Sequence, residues 1–307
     1  MSERKRIDRS KLKPVVLDLL KTGAHFGHAT HSWNPKMTPY IFTEKEGQHV
    51  IDLEITAEGI FETMKRVSDV VAKNGKIIFV GTKRQAVKSI EDAAKACSQH
   101  YINIRWLGGT LTNWQTISER IKYLNEREAQ FEAGEFNALN KKEQLDIQKE
   151  IDKLNRRLGG IKELTSLPDL LFVVDTQRES LAIKEAARVG IPVIALVDTN
   201  CDPDPIDLVI PCNDDSHRPI RYIASLVASA ANEGRERHLK DLAKGPSDAE
   251  IEAEVAREYV DDIAEEVEAA DEEELLGPGA LKLIAEMGDA EETETETQTA
   301  ASPEDQT

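Results

Sequence analysis

Cysteine is scarce in this chain of 307 residues. The three present, Cys97, Cys201 and Cys212, are odd in number and far apart. That argues against a disulfide framework and for thiols kept reduced. No apolar run approaches the roughly 20 residues that a membrane span requires. The basic N-terminus, MSERKRIDRSKLK, leads only into PVVLDLL, broken by Asp18, without a secretory apolar core or small-residue cleavage site. A cytoplasmic chain with no cleaved signal is expected. Neither G-x-G-x-x-G nor G-x-x-x-x-G-K-[ST] occurs, which removes the main support for a dinucleotide or P-loop enzyme. There is no G-x-S-x-G elbow, no H-E-x-x-H, and no cysteine with a plausible histidine partner in sequence.

What is there begins with charge. The net charge of −18 looks wrong for a nucleic-acid binder. Residues 236–307, however, hold 24 acidic and 5 basic side chains, so the acidity belongs to a tail. Residues 1–235 are left near neutrality, with room for basic patches. The tail has helical periodicity in SDAEIEAEVAREYVDDIAEEVEAADEEELL but little to bury. It ends in a low-complexity acidic stretch expected to be disordered and kept off phosphate by repulsion.

From residue 76 the patterns become regular. KIIFVGT (76–82), YINIRW (101–106), DLLFVVDT (169–176), IPVIALVDTN (191–200) and DLVIPCN (207–213) read as strands. Helical spacing marks KRQAVKSIEDAAKACS, RESLAIKEAARVG and HRPIRYIASLVASAANEG (217–234). The strands are mostly continuous apolar runs, as in a sheet covered on both faces. Alternation with helices implies a doubly wound, mostly parallel α/β sheet. This core spans 1–107 and 163–235, with an N-terminal docking segment, and the acidic tail follows from 236 to 307. Residues 108–162 interrupt it with two helical stretches. Ile117, Ile121, Leu124, Glu128 and Phe131 form a mostly apolar stripe on the first; Leu145, Ile147, Ile151, Leu154 and Leu158 form one on the second. With Gly134 and Asn137 in the turn, an antiparallel coiled-coil hairpin is expected, since neither arm is long enough to be stable alone.

Three stretches could carry chemistry. VGTKRQ (80–85) puts Lys83 and Arg84 between a strand and a helix, either as a phosphate contact or as an ordinary βα turn with surface charges. RWLGGTLTNWQT (105–116) is either a hinge packed by indoles or an RNA-facing platform, with Arg105 for phosphate, Asn113 for hydrogen bonding and Trp114 for stacking. Packing is expected for Trp106. VDTNCDPDPIDLVIPCNDD (197–215) carries six aspartates, with Asp198 at one strand's C-terminal end and Asp214 and Asp215 just after the next, where α/β sheets bind ligands. Asp198 and Asp215, joined by a histidine, could hold a divalent cation; alternatively these carboxylates cap turns and the last helix. GAHFGHATHSWNPKM (23–37) spaces His25, His28 and His31 by three, but Gly23 and Gly27 disfavour the regular helix that would align them.

HFGHATHSWNPKM, KIIFVGTKRQA, RWLGGTLTNWQT, SLPDLLFVVDT, IKEAARVGIPVIALVDTN and DPIDLVIPCNDD together resemble the bacterial small-subunit ribosomal protein S two family, over about residues 14–234. The resemblance implies a flavodoxin-like three-layer α/β/α domain with five parallel strands and a helical hairpin. It implies a structural, non-enzymatic constituent of the small ribosomal subunit that binds small-subunit rRNA. The implied partners are neighbouring small-subunit proteins, including the S-one protein that captures mRNA, with no membrane and no small-molecule substrate. Binding is then expected from Lys36, Lys83, Arg84, Arg105, Asn113, Trp114, Lys122, Arg156 and Arg157. The docking segment is expected over the sheet's ligand end, where His28 alone meets Asp198 and Asp215. They would share either hydrogen bonds or a metal, zinc or magnesium, with no cofactor required. The chain departs from the family at His31, where Arg is usual, and in its long acidic tail. The rival reading is an α/β enzyme using a nucleotide or metal at the strand ends.

Overall fold

Uninterrupted apolar strands can be buried only where helices cover both faces of their sheet, and that is the arrangement found. The computed structural model describes residues 9–244. The chain divides into two units, 1–241 and 242–307, and both sheets and the hairpin belong to the first. Residues 1–8 and 245–307, and so most of the acidic tail with its expected helical periodicity and disorder, lie outside the described residues.

In chain order the elements are α1 (Arg9–Thr22), β1 (Phe26–Ala29), β2 (Ile41–Lys45), β3 (Gln48–Ile51), α2 (Leu53–Ala72), β4 (Ile77–Val80), α3 (Val87–Ala96), β5 (His100–Ile102), α4 (Trp114–Glu132), α5 (Lys141–Leu158), β6 (Leu170–Val174), α6 (Ser180–Val189), β7 (Val193–Val197), β8 (Leu208–Pro211) and α7 (His217–Lys244). Five strands form a wholly parallel sheet in the order β5-β4-β6-β7-β8. This is the doubly wound, flavodoxin-like order. The chain leaves β4 toward one edge and returns at β6 toward the other, opening a crevice at the C-terminal ends between them.

Residues of β4, β6 and β7 are buried throughout, with neighbours pointing to opposite faces. Ile77, Phe79, Leu170, Phe172 and Val174 meet α1, α2, α3 and α7 on one face. Ile78, Val80, Leu171, Val173 and Ala195 meet α4, α5 and α6 on the other. The Phe79 and Phe172 rings lie 5.4 Å apart at the centre of the first layer. Each such side chain contributes about 1.5–3 kcal/mol through burial.

Ahead of residue 76, where the patterns give no regular element, the structure adds α2 and an antiparallel sheet, β1-β3-β2. Helix α2 starts from Asp52, whose carboxylate accepts the Glu54 N–H at 2.9 Å. It packs on the outer strand of the main sheet, where Thr56 Oγ1 donates to Pro211 O at 2.6 Å. Strand β5 is shorter than YINIRW suggests. Its partner β4 ends at Val80, opposite Ile102, so residues beyond 102 have no ladder to join.

Helices α4 and α5 form the antiparallel hairpin. Asn140 and Glu143 make a reciprocal capping box that starts α5. The apolar stripes are buried only near the core, at Ile117, Ile121, Leu124, Ile151 and Leu158. Farther out, Phe131 and Leu145 are exposed, because two helices alone cannot cover them. Glu128 interrupts its stripe by taking the Asn155 amide and the Lys162 ammonium. Helix α7 does not stop near residue 234; Arg237 pairs with Asp69 at 3.1 Å and the helix runs on to Lys244. Among the described residues, no helix is long and apolar enough to cross a membrane.

Candidate nucleic-acid interface

The docking segment closes over the C-terminal end of β7 by sharing its backbone with Thr199. His28 N donates to Thr199 Oγ1 at 2.8 Å, and Asn34 N donates to Thr199 O at 2.8 Å. Gly27 permits this approach, since a Cβ there would stand 2.6 Å from Thr199 Cγ2. The three histidines face different surroundings. His25 is half-buried beside Phe26, with ring centroids 4.0 Å apart, and His31 is exposed in a short 3₁₀ turn. Trp33 packs at 4.9 Å against the buried ring of His49. His28 Nδ1 lies 3.0 Å from Asp198 Oδ1, an ion-pair approach off the hydrogen-bond axis, and Nε2 lies 3.2 Å from Asp215 Oδ2.

Lys83 enters the same cluster from the end of β4. Its Nζ sits 2.6 Å from Asp214 Oδ1, 2.7 Å from Asp215 Oδ1 and 3.4 Å from Asp175 Oδ2. With Asp198, four carboxyls therefore face at most two cations. Burial, and then the charge of Asp198, pushes the Asp214 carboxyl up to about 7. Burial also pushes Asp215 up, but its bond to Lys83 prevails and holds it below the usual carboxylate range. The Asp198 carboxylate beside His28 raises the imidazole above its ordinary value. Lys83 is depressed by burial and raised more by Asp214 and Asp215, so it stays charged.

This geometry bears on the metal and capping readings. The imidazole stands between Asp198 and Asp215, one nitrogen toward each, so the three do not converge on one point. Among the described residues, the side chains whose ligand atoms do converge, within 4.8 Å, are Asp175, Cys201 and Asp214. There the Lys83 ammonium already contacts both carboxylates, and burial pushes the Cys201 thiol up to about 11, keeping it neutral. The turn before α7 is made by Asn213, whose Oδ1 accepts the Asp215 N–H at 2.9 Å; the side chains of Asp214 and Asp215 go to Lys83 and His28. Lys83, just after β4, and Asp175, just after β6, pair across the crevice in which an α/β enzyme would hold a nucleotide.

A second carboxylate organises RWLGGTLTNWQT. Glu185, on the buried face of α6, receives Trp106 Nε1 at 3.2 Å and Gly109 N at 2.8 Å on Oε1. Its Oε2 receives Leu111 N at 3.0 Å and both N and Oγ1 of Thr112 at 3.3 Å. Gly109 makes this wrap possible with φ of +87°, a region that side chains disfavour. Burial alone would raise the Glu185 carboxyl; the N–H donors outweigh it and hold it below its usual range. Trp106 is thus buried as a packing residue. Glu179 likewise ties the βα turn down, accepting Thr82 N at 3.0 Å and Thr82 Oγ1 at 2.5 Å.

Arg84, Arg105, Lys122, Arg156 and Arg157 are exposed and form no ion pair among the described residues. Arg156 and Arg157 line a cleft with Asn103 and Ile104, next in sequence to Arg105. Asn113 is exposed at the start of α4, with Thr116 Oγ1 donating to its Oδ1 at 3.1 Å. Trp114 is half-buried against the hairpin-side core. Lys36 is exposed but engaged by Asp202 at 2.8 Å and by Asp204. Lys83 points inward.

The profile of the family described as Ribosomal protein S2 matches residues 19–234. The chain belongs to this family. The small ribosomal subunit protein uS2 of Roseiflexus sp. (strain RS-1) is 50% identical over 250 residues, covering 81% of this chain and 95% of the relative. That of Roseiflexus castenholzii is 55% identical over 219 residues, covering 71% and 83%. That of a Bradyrhizobium strain, BTAi1, is 51% identical over 243 residues, covering 78% and 74%. As a small-subunit ribosomal protein, the chain has a structural part in cytoplasmic translation and is not an enzyme.

One site residue, Glu185, escapes sequence reading, and for Lys83, expected as a phosphate contact, the sequence misses the carboxylate partners. Glu185 lies within the helical RESLAIKEAARVG, where its only signal is a charge among Ala182, Ile183 and Ala186 on the buried face. The inward turn of Lys83 depends on Asp214, 131 residues away, and has no local signal.

Proposed function

We propose that the protein holds its place by binding small-subunit rRNA through the cations around the hairpin. The observation that carries this reading is the set of exposed Arg84, Arg105, Lys122, Arg156 and Arg157, which have no ion-pair partner among the described residues. Such heads replace counterions along a phosphate backbone. Asn113 and the open edge of Trp114 add hydrogen bonding and stacking to an unpaired base. Lys36 contributes by exchanging Asp202 and Asp204 for phosphate, whereas Lys83 stays with its carboxylates. Anchoring of the S-one protein and contact with neighbouring subunit proteins rest on the family resemblance; co-sedimentation of that protein with subunits containing or lacking this chain tests the anchoring.

Filter binding to small-subunit rRNA across a salt series tests the RNA reading. The logarithm of affinity falls linearly with the logarithm of salt, and the double variant Arg156→Gln, Arg157→Gln lowers that slope by about 2. A wild-type slope of zero, or a double variant with an unaltered slope, overturns it. The Asp-rich cluster has a second reading, a zinc or magnesium ion at His28, Asp198 and Asp215, which the excess of carboxyls over cations favours but which requires the imidazole to turn out from between the two carboxylates. Stoichiometric metal in the purified protein establishes that ion; metal below stoichiometry leaves the ion-paired latch.

A further inference from the structure

The hairpin leaves the core through residues 103–113 and comes back through 159–169, and the two connections are built differently. On the return, Ile161 and Leu164 are buried and the polar ties are scattered, Lys162 going to Glu128 and Lys76 to Thr165, Ser166 and Asp169. On the way out, the chain wraps around one carboxylate, with five donors from Trp106, Gly109, Leu111 and Thr112 divided between the two oxygens of Glu185. No cation pairs with Glu185 among the described residues, so its charge is balanced by these donors and by the nearby start of α4. Moving any one donor away leaves a buried charge less satisfied, at a cost that rises with burial. The loop conformation is therefore overdetermined, and α4 begins two residues beyond the last donor, Thr112.

The exposed cations lie on both sides of this joint. Arg84 and Arg105 belong to the core side, while Lys122, Arg156 and Arg157 ride on the hairpin. A rigid RNA surface meets both sets together only if the angle between core and hairpin is fixed beforehand, because binding then spends less on ordering. We infer that Glu185 is the positioning residue for RNA contact, setting the direction in which the hairpin leaves the core. This role rests on the proposed binding of rRNA.

Glu185→Gln tests it. A glutamine keeps the volume but turns an NH₂ toward backbone N–H groups, so donor faces donor. Nitroxide labels on Lys88→Cys and Lys142→Cys, both exposed, report the core-to-hairpin distance in the free protein; the native Cys97, Cys201 and Cys212 are buried. The expected result is a broadened or shifted distance, rRNA affinity about tenfold weaker, and an unchanged salt slope because no phosphate contact is removed. A purely structural Glu185 would lower the unfolding midpoint and leave distance and affinity as in wild type, which overturns the inference. A changed distance with unchanged affinity overturns it too. If wild type binds RNA without a salt slope, the RNA reading fails and the positioning role with it, while the distances still show whether Glu185 holds the hairpin. Should Glu185→Gln not fold, Trp106→Phe removes one donor and keeps most of the ring; it is expected to change the same readouts less, in the same direction.

Discussion

The joint at Glu185 and the latch at His28 both bury carboxylates, and they neutralise them in opposite ways. At the joint, one carboxylate collects N–H and O–H dipoles held by the backbone and by an indole. At the latch, Asp175, Asp198, Asp214 and Asp215 crowd around Lys83 and His28. Fixed dipoles bring no competing like charge, so Glu185 remains ionised below its ordinary range. Burial, and then repulsion from Asp198, raises the Asp214 carboxyl, so it takes a proton near neutrality. Two anchors of similar chemistry thus differ in the conditions that loosen them.

The largest expected difference is in stability. Glu185→Ala strands several donors at once and should cost about 3 kcal/mol at any pH above 5. Lys83→Met should cost about 2 kcal/mol at pH 8 and clearly less at pH 5, where Asp214 protonates and the repulsion fades. Urea midpoints of both variants at the two pH values make the comparison, and equal pH dependence would break it.

A smaller effect should appear in the wild type. His28 and Asp214 have folded values raised above 6.5 and 3.8, so their contributions are full below those values. The Asp214 contribution fades as pH rises toward about 7, and that of His28 as pH rises above 6.5. Glu185, lowered from 4.5, contributes above that value and loses its share as pH falls through its folded value. His28→Gln should therefore lower the melting midpoint more at pH 5.5 than at pH 8; the reverse order would remove the latch as described. The smallest difference is in salt. The cost of Lys83→Met should shrink in 1 M salt, where the screening length is about 3 Å, because Asp215 is half-exposed. The cost of Glu185→Ala should not change.

The sequence shows the main sheet clearly because β4, β6 and β7 are buried on both faces, which leaves unbroken apolar runs. It shows the hairpin through two facing stripes, although their outer ends at Phe131 and Leu145 are exposed. Helix α2 is hard to read because Thr56, Thr63 and Ser68 occupy buried positions and interrupt its apolar periodicity. Strand β2 is similarly obscure, with four of its five residues exposed. The exposed arginines are readable as candidates, since surface charge needs no partner to be noticed. Glu185 is not, and Lys83 is readable only as a phosphate contact, because each owes its role to residues brought in from distant parts of the chain.

The bond from His28 to Thr199 joins residues 171 apart. A ribosome adding about 5–20 residues per second needs on the order of 10–30 s to make that interval. Through that time His28 of β1 has no Thr199, Asp198 or Asp215 to meet. Strand β1 can pair with β3 as soon as both are made, but its tie to the main sheet waits for Thr199, so a nascent chain shortened before residue 199 would hold the small sheet together and leave it undocked.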